Sequence, residues 1–374
     1  MRQQENVKLN FKNMPLRAII NNHEVISSFL SAEEWNELKN KVKSNSLDVI
    51  IYQTQKKGYL RKSKKGLQHF VHKKGEVPEN WKPESPQHLL VKNEILLGCK
   101  DAGWEGKPEF KENEWEADVL ATNGKHRIVF EVQWSPQSYD KTIERQNKYV
   151  KDNIRCCWFF KKPLKEFTKW NNNLEANNDI PLFKIFETED NEIKVQFYGE
   201  IMTVRHFVKI LLEGKIKFSQ QKKAIRIQNL AIYFLETTCW KCGTLQHIYF
   251  LQDTVKSKCG LEMDFLGSMW DDEDFKYNSQ ILNAVNNFTK TEEGQQIRMG
   301  QIKKRFSKTV GHSYMSFGCF KCDAIFGDWF LNEDIIEAKM YGTSFELNVE
   351  IKLPDIVVQQ NHWCYCENND HCFK

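Results

Sequence analysis

Asp118, Glu131 and Gln133 stand on either side of Asn123-Gly124, between two strand-like runs, Trp115–Ala121 and His126–Gln133. Asn-Gly supplies two residues that tolerate positive φ, the strongest short signal for a two-residue hairpin loop. With that loop Asp118 pairs with Val129 and Glu116 with Glu131. Glu116, Asp118, Glu131 and Gln133 then share one face, while Ile128, Phe130 and Val132 take the other. Glu131 becomes a diagonal neighbour of Asp118, roughly 7–8 Å away. Two carboxylates at about that distance repel by on the order of 2 kcal/mol at an effective dielectric of about 20, so a cation is expected nearby. A hard divalent ion, Mg²⁺ or Mn²⁺, takes such oxygen ligands. It would activate water and stabilise the charge that builds during phosphodiester hydrolysis. The same spacing also suits an edge hairpin whose carboxylates only face solvent.

A second chemistry lies in the cysteines. Cys239-Trp240-Lys241-Cys242 and Cys319-Phe320-Lys321-Cys322 each have the spacing of a knuckle that turns two thiolates onto one ion, and four thiolates make a closed tetrahedral zinc site. A redox pair and buried unpaired thiols are the other readings. The 76 residues between the pairs call for an inserted subdomain within a zinc-ribbon-like domain. His362, Cys364, Cys366, His371 and Cys372 offer ligands for a second Zn²⁺ at irregular spacing. Eleven cysteines would suit a secreted disulfide scaffold, but the opening residues lack the apolar core of a signal peptide. No apolar run approaches a membrane span. The expectation is a cytoplasmic protein with reduced thiols and no membrane partner.

These residues need elements to hold them. Ser31 and Glu34 have the form of a capping box at the start of a helix. Ser85-Pro86 starts a second helix, running to about Cys99, with Ser as cap and Pro at the first helical position. His88 and Lys92, four apart, share one strip of it. The hairpin follows, then a helix over Ser138–Lys151 and an apolar strand over Ile154–Phe160. Short strands are expected near Leu182–Phe186 and Ile193–Tyr198, a helix over Val204–Glu213 that ends at Gly214, and a long helix over Gln220–Leu235. Gly75, Pro78, Pro83 and Pro86 mark a linker. The division expected is a basic N-terminal module over 1–75, an α/β core over 84–215, and a cysteine-rich C-terminal domain over 216–374.

At 374 residues and 40% hydrophobic the chain has core material for two or three domains. Its 54 basic and 50 acidic side chains leave +4, which selects no partner, so placement matters more than the sum. Ile51–Gly75 holds eight Lys/Arg and no acid, whereas Asp323–Lys374 holds ten acids and three bases. The basic segment, read as a loop over Lys56–Lys65 with Tyr59 interleaved, suits contact with a DNA backbone through Lys56, Lys57, Arg61 and Lys62, or else is simply solvated. The acidic end offers a surface for a protein partner.

One resemblance sharpens the first reading. Glu84-Ser85, His88 and Lys92 on the first core helix, Ala117-Asp118-Val119 on the first hairpin strand, and Glu131-Val132-Gln133-Trp134-Ser135 on the second resemble the nuclease domain of the CoiA competence-protein family, itself similar to the PD-(D/E)xK restriction-endonuclease fold. Glu144-Arg145, Tyr149 and Trp158 follow in the same order, with His69-Phe70-Val71-His72 upstream and His206-Phe207-Val208 downstream. The resemblance implies a mixed central sheet flanked by helices. It also implies Mg²⁺ or Mn²⁺ held by Asp118, Glu131 and the Val132 carbonyl, with Glu84 and Glu116 as further candidates. Gln133 takes the place of a lysine, so Lys92 is the substitute cation. His88 would orient water or meet the scissile phosphate, and Arg145 would hold a backbone phosphate or anchor a carboxylate. The family often has a basic residue where Glu116 stands, and the upstream Cys-x-x-Cys of many relatives is missing at Tyr52–Lys56. A metal-dependent DNA nuclease is expected, with a catalytically silent DNA-binding or recombination-accessory protein as the alternative.

Overall fold

The computed structural model describes residues 15–365 and 372, apart from 45, 80–83, 169–173, 191, 198–199, 265–276 and 343–344. The chain divides into two compact units, 1–218 with 361–367, and 219–360 with 368–374.

In the first unit β1 (Arg17–Ile20), β2 (His23–Ile26), β3 (Val49–Ile51), β4 (Lys56–Lys62) and β5 (Gln68–His72) form an antiparallel sheet in the order β2-β1-β3-β4-β5. Helix α1 (Ala32–Lys43) has the expected capping box, with Ser31 and Glu34 satisfying each other's backbone amides. It buries Trp35 against Phe70, with ring centroids 5.4 Å apart, over Ala18, Ile51 and Leu60. The basic segment is strand rather than loop. Gly58 and Leu60 turn inward while Lys57, Tyr59 and Arg61 face out, a period of two that the density of lysines conceals.

The core of this unit contains α2 (Pro86–Asp101), β6 (Glu105–Glu112), β7 (Trp115–Thr122), β8 (Arg127–Gln133), α3 (Tyr139–Lys151), β9 (Arg155–Phe160), β10 (Leu182–Glu187), β11 (Ile193–Phe197), β12 (Glu200–Thr203) and α4 (Val204–Leu212). The sheet order is β12-β11-β10-β9-β8-β7-β6, parallel at β8–β9 and β9–β10 and antiparallel elsewhere. One face packs on α2 and α4 through Leu89, Ile95, Val119, Phe130, Phe159 and Phe207. The other packs on α3 through Trp115, Val129, Tyr149 and Trp158. Residues 361–365 return to this unit, where Trp363 meets Phe183 and Tyr365 meets Phe197.

The hairpin register differs from the expected one. Thr122 pairs with Arg127 and Val119 with Phe130, so the loop is four residues, 123–126. The Asn123 side chain accepts from the amides of Lys125 and His126, closing the turn through Asn123 itself rather than through Asn-Gly at its centre. The shift of two brings Asp118 level with Glu131 and Glu116 level with Gln133, both just past the last paired residue, Val119.

In the second unit β14 (Ile227–Thr238) runs between β15 (Leu245–Leu251) and, much later in sequence, β20 (Phe345–Lys352). The unit also holds β16 (Thr254–Lys256) and β17 (Glu262–Asp264), α5 (Ser279–Phe288), the hairpin of β18 (Lys303–Phe306) and β19 (Ser313–Ser316), and α6 (Asp328–Tyr341). Its core joins Phe234, Tyr249, Ile281, Phe317 and Leu331. Residues 220–235, expected as a helix, are strand: part of β13 (Ile216–Lys223) and most of β14. A strand covered on both faces reads as a continuous apolar run without alternation, which a buried helix imitates. The strand β21 (Val357–Tyr365) pairs with β13. Among the described residues no helix is long and apolar enough to cross a membrane.

Helices α2 and α4 meet at Gly98, where a Cβ would lie 2.7 Å from the Arg205 carbonyl oxygen and 2.8 Å from Val208 Cβ. Backbone cannot yield there as a flexible side chain would. Gly98→Ala is therefore expected to destabilise by roughly 1–3 kcal/mol despite the better helix propensity of Ala. Urea denaturation of the two proteins measures it, and a gain in stability would contradict the close packing.

Candidate active site and zinc knuckles

Asp118 sits where β7 changes phase. Ala117 and Leu120 both face α3, whereas Val119 and Ala121 face α2. Pairing with β8 stops at Val119, and the Asp118 carboxylate takes over, with Oδ2 accepting the Val132 amide at 2.8 Å. Level with Asp118 in β6, Glu109 has a left-handed backbone with φ of 53°. Together these breaks open a cleft of about 310 Å³ lined by Gln53, Glu84, Glu109, Glu116, Asp118 and Arg145, among others.

Helix α2 supplies the other wall. Ser85 caps it by accepting from the His88 amide at 3.1 Å, which places His88 in the first turn, with Nε2 3.0 Å from Asp118 Oδ1. Burial opposes charge on both groups, yet each favours the other's charged form: the His88 ring is held above its ordinary pKa and Asp118 well below the carboxylate range. One turn further, Lys92 has no exposed surface. Its Nζ lies 3.1 Å from each Glu84 oxygen and 3.0 Å from Glu109 Oε1. Although burial lowers its pKa, Glu109 and Glu84 hold the ammonium far above its usual value. The expected substitute cation is thus enclosed between two carboxylates. Glu84, His88 and Asp118 each offer a ligand atom, all within 4.8 Å of one another.

Glu131 is fully buried on the α3 side. Arg145 donates to its Oε2 and the Tyr149 hydroxyl to its Oε1. Burial pushes its carboxyl up to about 8, against the Arg145 charge and with added repulsion from Asp118. Arg145 lies over the Trp158 ring and is spent on the carboxylate, the second of its two expected uses. The Gln133 amide donates to the Ser135 carbonyl in its own loop, so its hydrogen bond is turned away from water positioning. Glu116 is exposed and accepts weakly from Gln53 at 3.5 Å. Val132 buries its side chain in the core and presents its amide to Asp118. Glu109 and Tyr149 complete the site. Tyr149 falls in the order of residues that carries the family resemblance, whereas Glu109 has no role legible in the sequence, because no spacing rule reveals an edge-strand glutamate reached across a backbone kink.

Lys56, Lys57, Arg61 and Lys62 are exposed along β4. His69 and His72 of the neighbouring strand are buried, with His72 Nε2 2.7 Å from Thr54 Oγ1.

In the second unit Cys239, Cys242, Cys319 and Cys322 come together, with Cys239–Cys322 sulfurs 3.7 Å apart and Cys242–Cys319 sulfurs 3.6 Å apart. A tetrahedron of thiolates at about 2.3 Å from zinc has edges of about 3.8 Å, so the four could hold one Zn²⁺. The two knuckles repeat one geometry. Gly243 donates to the Cys239 carbonyl and Asp323 to the Cys319 carbonyl, each from a left-handed backbone. A hydrogen bond with Thr244 holds the Cys242 thiol down at about 6. In the tail, His362, Cys364 and Cys372 are buried, and Cys366 and His371 lie outside the described residues.

The first unit thus combines a mixed α/β sheet with a carboxylate-rich kink between its antiparallel strands. Residues 84–241 match the family described as competence protein CoiA, nuclease-like domain, in agreement with the resemblance read from the sequence. A solved structure of Pyrococcus furiosus SfsA in complex with Ca²⁺ aligns at 13% identity and a TM-score of 0.22, over 42% of this chain and 85% of that one. No curated protein matches.

Glu131 gives a pH prediction for protein free of divalent ions. Its carboxyl is protonated in the folded state up to about 8, whereas the unfolded group ionises near 4.5. The folded state holds the extra proton between those values, so this group's contribution to stability falls as pH rises through that window. Relative to wild type, Glu131→Gln should gain stability from pH 5 to pH 8 in urea titrations. A difference that does not change with pH would contradict the raised pKa.

Proposed function

We propose that the protein is a metal-dependent DNA nuclease whose cation is anchored on Asp118 and completed by Glu84 and His88. The supporting observation is the convergence of those three ligand atoms, within 4.8 Å, at an open cleft. Two carboxylates and an imidazole suit Mn²⁺, which accepts nitrogen ligands more readily than Mg²⁺ does. When bound, the ion would polarise the phosphodiester and acidify an attacking water. Lys92 neutralises Glu84 and Glu109 from behind and fixes where Glu84 points. Glu131 keeps its proton while Arg145 and Tyr149 hold it. Once that proton is lost it would be able to serve as an additional ligand, so that cation affinity would rise with pH. The exposed Lys57, Tyr59 and Arg61 of β4 carry backbone contact through charge neutralisation.

The alternative is a DNA-binding protein that keeps the fold without cleavage. It is favoured by one observation, the engagement of Gln133 with Ser135, which leaves the lysine position of the motif without a group in the cleft. Plasmid and single-stranded DNA incubated with Mn²⁺ decide between them. Cleavage should occur, run faster with Mn²⁺ than with Mg²⁺, and fall by about a hundredfold or more in Asp118→Asn and Glu84→Gln, since even groups behind a ligand are worth 10–100-fold. Binding without cutting would establish the alternative.

The four knuckle cysteines are proposed as a structural Zn²⁺ site. By elemental analysis Cys242→Ser with Cys322→Ser should carry about one equivalent of zinc less than the unsubstituted protein, and its thermal midpoint should be lower. A zinc content unchanged in that double variant would contradict the assignment.

A further inference from the structure

The zinc-bearing unit carries a surface that the cleft chemistry leaves unused. Each knuckle places an aromatic residue and a lysine between its cysteines, Trp240-Lys241 in one and Phe320-Lys321 in the other. Both aromatics project into solvent, Trp240 at 70% and Phe320 at 43% exposure. The β18–β19 hairpin continues the pattern. Arg305 points inward and holds the Ser316 and Gln301 carbonyls, while Lys304, Phe306 and Lys308 alternate outward, with Phe306 62% exposed.

Charge is selected as well. Residues 294–322 contain six Lys/Arg and no Asp or Glu, in the half of the chain where acids prevail further on. Lys241, Lys304, Lys308 and Lys321 have no carboxylate partner among the described residues. Asp323, just after the second knuckle, is already paired with Lys303 at 2.8 Å and with Arg305. The hairpin and the knuckle are tied together by that network, and a Cβ at Gly318 would lie 2.1 Å from the Arg305 guanidinium. Trp240 is held too, its indole N–H donating to the Ile325 carbonyl at 2.8 Å. Rings fixed in this way lose little freedom on binding.

We infer that the two knuckles and the β18–β19 hairpin bind single-stranded DNA, stacking unpaired bases on Trp240, Phe306 and Phe320 and contacting phosphates through Lys241, Lys304, Lys308 and Lys321. Isolated aromatic rings separated by unpaired lysines match a strand of bases and phosphates, whereas a protein partner would call for a contiguous apolar patch. A duplex keeps its bases stacked internally and cannot use the rings. The inference rests on the proposed function only in taking the nucleic acid to be DNA.

The test uses the full chain, zinc-loaded, as Asp118→Asn to prevent cutting. Fluorescence anisotropy follows a labelled twenty-nucleotide oligo-dT and a duplex of equal length. Trp240→Ala/Phe306→Ala/Phe320→Ala should weaken oligo-dT binding by roughly tenfold or more, from the worth of base stacking, and leave duplex binding unchanged. Lys304→Glu/Lys308→Glu should weaken binding and lower the slope of log affinity against log salt by roughly 0.7 for each phosphate that is no longer neutralised. Unchanged oligo-dT affinity in the triple variant, at parental zinc content and thermal midpoint, would overturn the inference. So would an equal loss for duplex, or an Asp118→Asn protein that does not bind oligo-dT. These outcomes are independent of whether the unsubstituted protein cuts DNA, so the two readings fail separately.

Discussion

A lysine with no exposed surface governs the geometry of the cleft. Lys92 is carried into the interior by the apolar face of α2, and an ammonium there must be neutralised within hydrogen-bond reach. Glu84 and Glu109 do this from two separate elements. Removing one partner of a buried pair costs about 3–5 kcal/mol, whereas a non-glycine residue in the left-handed region costs of order 1–3 kcal/mol. The backbone of Glu109 is therefore held kinked by the ion pair. Its kink lies level with the phase change in β7, and the two together part the strands around Asp118.

Two neighbouring carboxylates then meet opposite fates. Asp118 accepts a backbone amide and a histidine and stays ionised. Glu131, buried deeper beside Arg145 and Tyr149, retains its proton to about 8. Pushing the two pKa values apart avoids placing two like charges side by side, and leaves one charged anchor and one group in reserve. The cation proposed at Asp118 would compete with the proton on His88.

Much of this is legible in the sequence, for reasons tied to particular residues. Capping at Ser31 and Ser85 is readable because it depends on a hydroxyl three residues from the amide it satisfies. The order of acids and aromatics from Glu84 to Trp158 carries the family resemblance, and the paired Cys-x-x-Cys spacing carries the sulfur cluster. The hairpin register is not readable. Asn-Gly favours a two-residue loop, but Asn123 closes a four-residue turn with its own side chain, and that shift of two brings Asp118, in place of Glu116, level with Glu131. Strand β14 reads as a helix because tertiary cover on both faces erases its alternation. Glu109 is invisible, since its role depends on a backbone kink and on a lysine seventeen residues earlier.

Where a divalent ion sits decides between an anchor on Asp118 with α2 and one shared with Glu131. Anomalous diffraction from crystals soaked in Mn²⁺ measures this directly. A peak within bonding distance of Glu84, His88 and Asp118, with Lys92 still against Glu109, is the predicted result. A peak held by Asp118 and Glu131 with His88 and Glu84 uninvolved, or no peak in the cleft, would contradict it.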